Sequence, residues 1–192
     1  MPRIATQTLA QHRDWRRSQL IDAAASIAME SGGQAVTVAA VAQRAGLSRT
    51  SVYEYFASSA DLVADLVIDE LNGFAHYLND EISQAQSPSE CVELWIKAAL
   101  TYIADGRHLL AKALNATTLP QERAHQIKVA HRALLAPLID SLEKLQVEDV
   151  QQALAFIQAV TDTSTKRIEA GNNAAKEIEK ATAFCLNGLI SI

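Results

Sequence analysis

The sequence predicts an all-α chain: a three-helix head carrying a helix-turn-helix, followed by a body of about six helices. Three observations lead there. Of the 192 residues 49% are apolar but only 5% aromatic, which describes a helical core of Leu, Ala, Val and Ile. Seven glycines and four prolines leave little material for strands joined by tight turns. Apolar side chains also recur at i, i+3 and i+4 from Leu20 onward, with capping residues between the runs.

The first helix is expected from about Arg13 to Ser31, with Leu20, Ile21, Ala24, Ile27 and Ala28 on one face, and Ser31-Gly32-Gly33 breaks it. Thr37 is a good N-cap for a short second helix whose Val38, Val41 and Ala42 share a face. Gly46 ends that helix where a positive φ is needed, and Leu47 can plug the gap to the next. Ser48 caps a third helix whose Val52 and Phe56 face inward, leaving Arg49, Thr50, Ser51, Tyr53 and Tyr55 to point outward. A hydroxyl-rich helix start with one arginine suits the major groove, where side chains meet phosphates and base edges.

Ser58-Ser59-Ala60-Asp61 has capping-box form, with Ser58 as cap and Asp61 reaching back, and opens a long helix through Val63, Val67, Leu71, Phe74, Leu78 and Ile82. Ser87-Pro88-Ser89-Glu90 opens the next, which Asp105-Gly106 ends. A short segment from Arg107 to Asn115 leads to Pro120, the expected start of a helix to about Leu145 that Pro137 should kink. The last two helices span roughly 147–170 and 173–191, separated by Gly171-Asn172. Both are apolar over more than one stripe, so a second copy of the chain is the simplest cover for the surplus. The division expected is a head of residues 1–57 and a body of 58–192.

Charge follows the same division. Residues 1–60 hold six arginines against four acids, and the remainder 11 basic against 18 acidic residues, which accounts for the net −5. Only the head is suited to a polyanion. Cys91 and Cys185 follow no metal or redox spacing and read as small core residues. No two of His76, His108, His125 and His131 stand at i, i+3 or i+4, so no metal is expected, and no cofactor. Residues 1–12 lack an apolar h-region and no apolar run approaches a membrane span, so the expected location is the cytoplasm. There is no activated-nucleophile motif, Gly-rich phosphate loop or paired acid/base arrangement, which argues against an enzyme.

Over some 45 positions these residues resemble the TetR family of bacterial one-component regulators. The match runs Leu20-Ile21-x-Ala23-Ala24, Glu30-Ser31-Gly32, Thr37-Val38-x-x-Val41-Ala42, Ala45-Gly46-Leu47-Ser48, Val52-Tyr53-x-Tyr55-Phe56 and Asp61-Leu62. The resemblance implies a homodimer, joined through its last two helices, on a palindromic double-stranded DNA operator, with half-sites about 34–36 Å apart. It places Thr37, Tyr53 and Tyr55 at phosphates and Arg49, Thr50 and Ser51 near base edges, with Ser48 beside them. The Tyr53 ring can also pack the head's own core, and Arg44 has a phosphate reading and a solvated-surface reading. The family commonly places a lysine where this chain has Ser59. A serine can still donate one hydrogen bond to a phosphate, but two fewer cations per dimer should flatten the log–log salt dependence by about 2.

The resemblance further implies a small-molecule effector held in the body that releases DNA. Trp95, Tyr102, His108, Asn115, His131, Phe156 and Thr161 are the polar-tipped or aromatic candidates to line its pocket, each with an ordinary core or surface reading beside it. Two other functions compete with a ligand-responsive repressor. One is an activator; the other is a dimeric interaction module with weakened operator binding, which Ser59 alone favours.

Overall fold

A computed structural model describes residues 9–114 and 119–189. The described residues form nine α-helices and two 3-10 turns, with no strand among them. Of the expectations above, Asn115 and the end of the last helix at 190–191 lie outside the described residues.

The head contains α1 (Leu9–Ser31), α2 (Val38–Arg44) and α3 (Arg49–Tyr53), with a 3-10 turn at Gly33–Ala35. Leu20, Ile21, Ala24, Ile27 and Ala28 bury one face of α1 against Val38, Val41 and Val52. Helix α2 closes with a Schellman turn: Leu47 N–H reaches the Ala42 carbonyl at 2.9 Å and Gly46 N–H the Gln43 carbonyl at 3.3 Å. Gly46 sits at φ 66°, where a Cβ would be strained. The same closure ends α5 at Gly106, and at Gln146 a non-glycine residue adopts it, with φ 58°.

The remaining helices are α4 (Ser59–Ile82), α5 (Pro88–Ala104), α6 (Leu109–Leu114), α7 (Ala124–Lys144), α8 (Val150–Glu169) and α9 (Ala174–Leu189). Ser87 caps α5 by accepting from Glu90 N–H, with Pro88 in the first turn as expected. Three boundaries differ from the sequence reading. Segment 107–115 contains a helix, α6. Pro120 opens a 3-10 turn, Gln121–Arg123, and α7 begins only at Ala124. Asp149, whose carboxylate accepts from Gln152 N–H, delays α8 to Val150. Pro137 stays inside α7, and Ser141 Oγ donates back to its carbonyl at 2.8 Å.

Packing divides the chain into two compact units. One runs to Glu70 and adds Leu110–Ile127; the other is Leu71–Leu109 with the chain from Lys128 onward. The head unit thus extends past the expected boundary at 57, because Leu62, Val63 and Leu66 of α4 and Leu114 of α6 are buried in its core. In the second unit α5 packs against α8 and α9, and α8 against α9. Trp95, Ile96, Leu100, Leu138, Leu142 and Ile157 form its center. Arg167, read from sequence as a helix-end cation, forks onto Glu177 at 2.7 and 2.9 Å and so ties α8 to α9. That guanidinium holds the Glu177 carboxyl below its ordinary range. Of the two cysteines only Cys185 is core, and burial pushes its thiol up to about 11; Cys91 is half-buried.

Candidate DNA-binding site

The two short helices of the motif are held by side-chain caps. Thr37 Oγ1 accepts from Ala40 N–H at 3.1 Å, and Ser48 Oγ accepts from Ser51 N–H at 3.1 Å. A cap in each case offsets the poor odds of a five- or seven-residue helix standing alone. Burial of Val52 and Phe56 then fixes which way α3 turns.

Its outward residues divide in a way the sequence did not indicate. Arg49, Thr50 and Tyr53 are exposed, Tyr53 by 57%, and Arg49 forms no ion pair with any described residue. Ser51 is half-buried, and its hydroxyl shares a 3.0 Å hydrogen bond with that of Ser48. Tyr55, expected outward, packs against the head core instead. The reason is that Tyr55 stands three residues after the buried Val52, in a turn closed by Tyr55 N–H and Phe56 N–H on the Val52 carbonyl at 3.0 and 3.1 Å, which brings Tyr55 to the same side as Phe56. The ring-packing role considered for Tyr53 therefore falls to Tyr55.

Arg44 is committed within the head. Its guanidinium forks onto the Glu30 carboxylate at 2.7 and 2.6 Å, joining the end of α1 to the end of α2. That pairing holds the Glu30 carboxyl below its usual range. The pair is an exposed one, and it engages the guanidinium that the sequence reading offered to a phosphate.

Ser59 is engaged as well. Its Oγ accepts from Val38 N–H at 3.0 Å, satisfying the first amide of α2 from the start of α4. The hydroxyl proton remains available to donate. Asp61 accepts from Ala57 N–H at 3.3 Å, one residue ahead of the cap, while Ser58 Oγ accepts from Asp61 N–H at 3.0 Å. Ser59→Ala is expected to cost about 1 kcal/mol, since it leaves a part-buried amide unpaired. Ser59→Thr should keep most of that. Chemical denaturation would check it, and an unchanged midpoint for Ser59→Ala would deny the bond any weight.

The candidate effector residues among those described have separate partners. Trp95 is buried, its Nε1–H donating to the Leu134 carbonyl at 3.3 Å. Tyr102 stacks between Phe74 and Tyr77, with the Arg107 guanidinium 4.7 Å from its ring. His108 Nε2 meets Glu169 Oε1 at 2.9 Å. His131 is exposed, and Thr161 Oγ1 is turned back to the Ile157 carbonyl. Phe156 is exposed on α8, where with Val160, Phe184 and Leu189 it surrounds a wholly apolar depression of about 390 Å³.

Comparison with known proteins agrees with this geometry. The pattern described as "Bacterial regulatory proteins, tetR family" matches residues 20–66. The chain is 28% identical over 93 residues to the "Fatty acid metabolism regulator protein" of Bacillus subtilis, covering 48% of this chain and 47% of that one. The match thus spans about half the length of that relative. It is also 28% identical over 148 residues to "HTH-type transcriptional regulator BetI" of Brucella suis, covering 76% and 72% of the two chains. Among solved structures, FadR of Bacillus subtilis, in complex with stearoyl-CoA, superposes with a TM-score of 0.70 at 22% identity, over 91% of this chain and 97% of that one. A putative transcriptional regulator of Pseudomonas aeruginosa does so with a TM-score of 0.78 at 17% identity, over 92% and 91%. At those identities the likeness is one of fold. None of the helices described is long and apolar enough to cross a membrane.

Proposed function

The chain belongs to the TetR family of DNA-binding transcriptional regulators, and from that premise we propose that it is a homodimeric repressor released from a palindromic operator by a small molecule. The observation that carries this reading is the recognition helix. Two capped helices hold Arg49, Thr50 and Tyr53 outward, while the arginine beside them, Arg44, is neutralised by Glu30. Arg49 is thus the cation of this motif that is free for DNA. It approaches a base edge, Thr37 and Tyr53 hold phosphates, and the hydroxyl of Ser59 supplies a further donor. DNA reading belongs to the head unit and dimerisation with effector binding to the second unit, and the protein works in the cytoplasm.

The apolar strip of α8 and α9 supports the dimer, since a second copy presenting the same strip buries both. The solved FadR holds stearoyl-CoA, which makes acyl thioesters the first effectors to screen. Release requires a coupling of only about 1–3 kcal/mol between the sites.

The test is a fluorescence-anisotropy titration against the DNA upstream of the protein's own coding region, with scrambled competitor, at two salt concentrations. Competitor-resistant binding by two chains per site is expected. Arg49→Ala should cost about 1–3 kcal/mol of discrimination at one base pair per half-site. Tyr53→Phe should weaken binding evenly across sequences. Were both variants to bind as the parent does, the recognition helix would lie elsewhere. The expected salt slope is shallower by about 2 than that of a relative with lysine at the Ser59 position.

A further inference from the structure

We propose that Arg123 is a positioning residue for DNA binding, which sets the helix-turn-helix by holding the cap of α4; the proposal rests on the chain being an operator-binding protein. Arg123 ends the 3-10 turn directly before α7, far along the chain from the motif. Yet the segment around it is part of the head unit, where Leu110, Leu114 and Leu119 pack into the same core as Phe56. Its guanidinium pairs with Asp65 and, at 3.3 Å, with Oδ1 of Asp61.

Asp61 is where this pairing reaches the motif. Its other oxygen, Oδ2, accepts from Ala57 N–H, in the turn that joins the recognition helix to α4. Two residues on, Ser59 holds the first amide of α2. One carboxylate therefore receives a charge from the far segment and a backbone amide from the turn behind the recognition helix. Asp65 is fixed from the opposite side by Arg17 of α1 at 2.6 Å, and that guanidinium lies 5.8 Å from the Phe56 ring.

Stability alone does not account for this arrangement. The Arg123 side chain is only 23% exposed, and its Nε is buried without a hydrogen-bond partner among the described residues. A guanidinium left partly unsatisfied is a poor way to strengthen a core. It is a good way to fix direction, because a fork engaging two carboxylates one helical turn apart tolerates little rotation of α4. Since both contacts are to carboxylates, Arg123 acts through Asp61 and does not meet DNA.

Arg123→Met keeps the apolar stem, leaves Asp65 its Arg17 partner and removes the fork. It should weaken operator binding about tenfold for every sequence, with the salt slope unchanged. Asp61→Asn should weaken binding by the same route, and the double variant no further than the worse single one. Amide exchange in the folded protein should quicken at Ala57 in Arg123→Met. Arg123→Gln serves the same test should the methionine variant fail to fold. The proposal is overturned if the variants bind as the parent does, if the two effects simply add, if the slope falls as for a lost phosphate contact, or if Ala57 exchange is unmoved. A parent that binds no DNA would end the operator reading itself, while the exchange measurement would still decide whether Arg123 holds the cap.

Discussion

Phe184→Glu is expected to turn the protein into a monomer and to remove nearly all operator affinity. Phe184 is 69% exposed, and across the apolar depression stands Phe156, 53% exposed. Two large aromatic rings left in water on neighbouring helices are a cost that burial against a second copy reverses, at about 25 cal/mol per Å² removed from water. An isologous interface repeats the patch on both partners, so one substitution brings two carboxylates into a site with no cation among its lining residues. Separate half-site binding then forfeits an avidity of about 10²–10⁴. Sedimentation and anisotropy on the same sample would show both losses, with helicity unchanged because the ring contributes little to its own protomer. A variant that stays dimeric would place the interface on another face.

The second large effect concerns the head alone. Phe56→Ala should destabilise it by about 3–5 kcal/mol, the cost of an aromatic-to-alanine truncation in a packed core. Phe56 is 1% exposed among Leu20, Val41, Val52 and Leu62, and the Arg17 guanidinium lies near its ring. Against a total stability of about 5–15 kcal/mol that is a large share, and operator binding should fail on warming well before the parent's does. Met29→Ala is the contrasting control, a side chain of the head that is 49% exposed and whose loss costs the fold little. If chemical denaturation put the two variants within about 1 kcal/mol of each other, Phe56 would not be a core side chain of the head.

The recognition motif was legible because its determinants are local. Thr37 and Ser48 cap amides three residues away, and the Gly46-Leu47 closure spans six residues, so spacing in the chain is spacing in space. Burial of Val52 and Phe56 follows from the same short period. Tyr55 follows it too, three residues after Val52, although the sequence reading set it outward with Tyr53.

The partners of the charged and polar side chains were not legible. Arg44 meets Glu30, Ser59 meets Val38 and Arg123 meets Asp61, each from a different element. One signal did exist for the last of these. Asp61, Asp65 and Asp69 stand at i, i+4 and i+8 on α4, an acidic stripe that repels itself unless cations are brought to it. The stripe shows that cations are needed without showing which ones. The partners of the effector candidates were hidden for the same reason, because an aromatic or polar tip on an apolar helix is equally a stacked, capped or exposed group until its neighbours are placed.

The sequence by itself determined the all-α class, the helix-turn-helix, its caps and the apolar surplus of the last two helices, all of which are set by interactions within a few residues or by periodicity along one helix. Only the tertiary structure decided that Leu114 and Arg123 belong with the head, that Ser59 serves α2, and that Arg49 alone of the motif's arginines is left free. Those outcomes depend on which helix faces are brought together, and that is settled by the packing of whole elements, which no local spacing encodes.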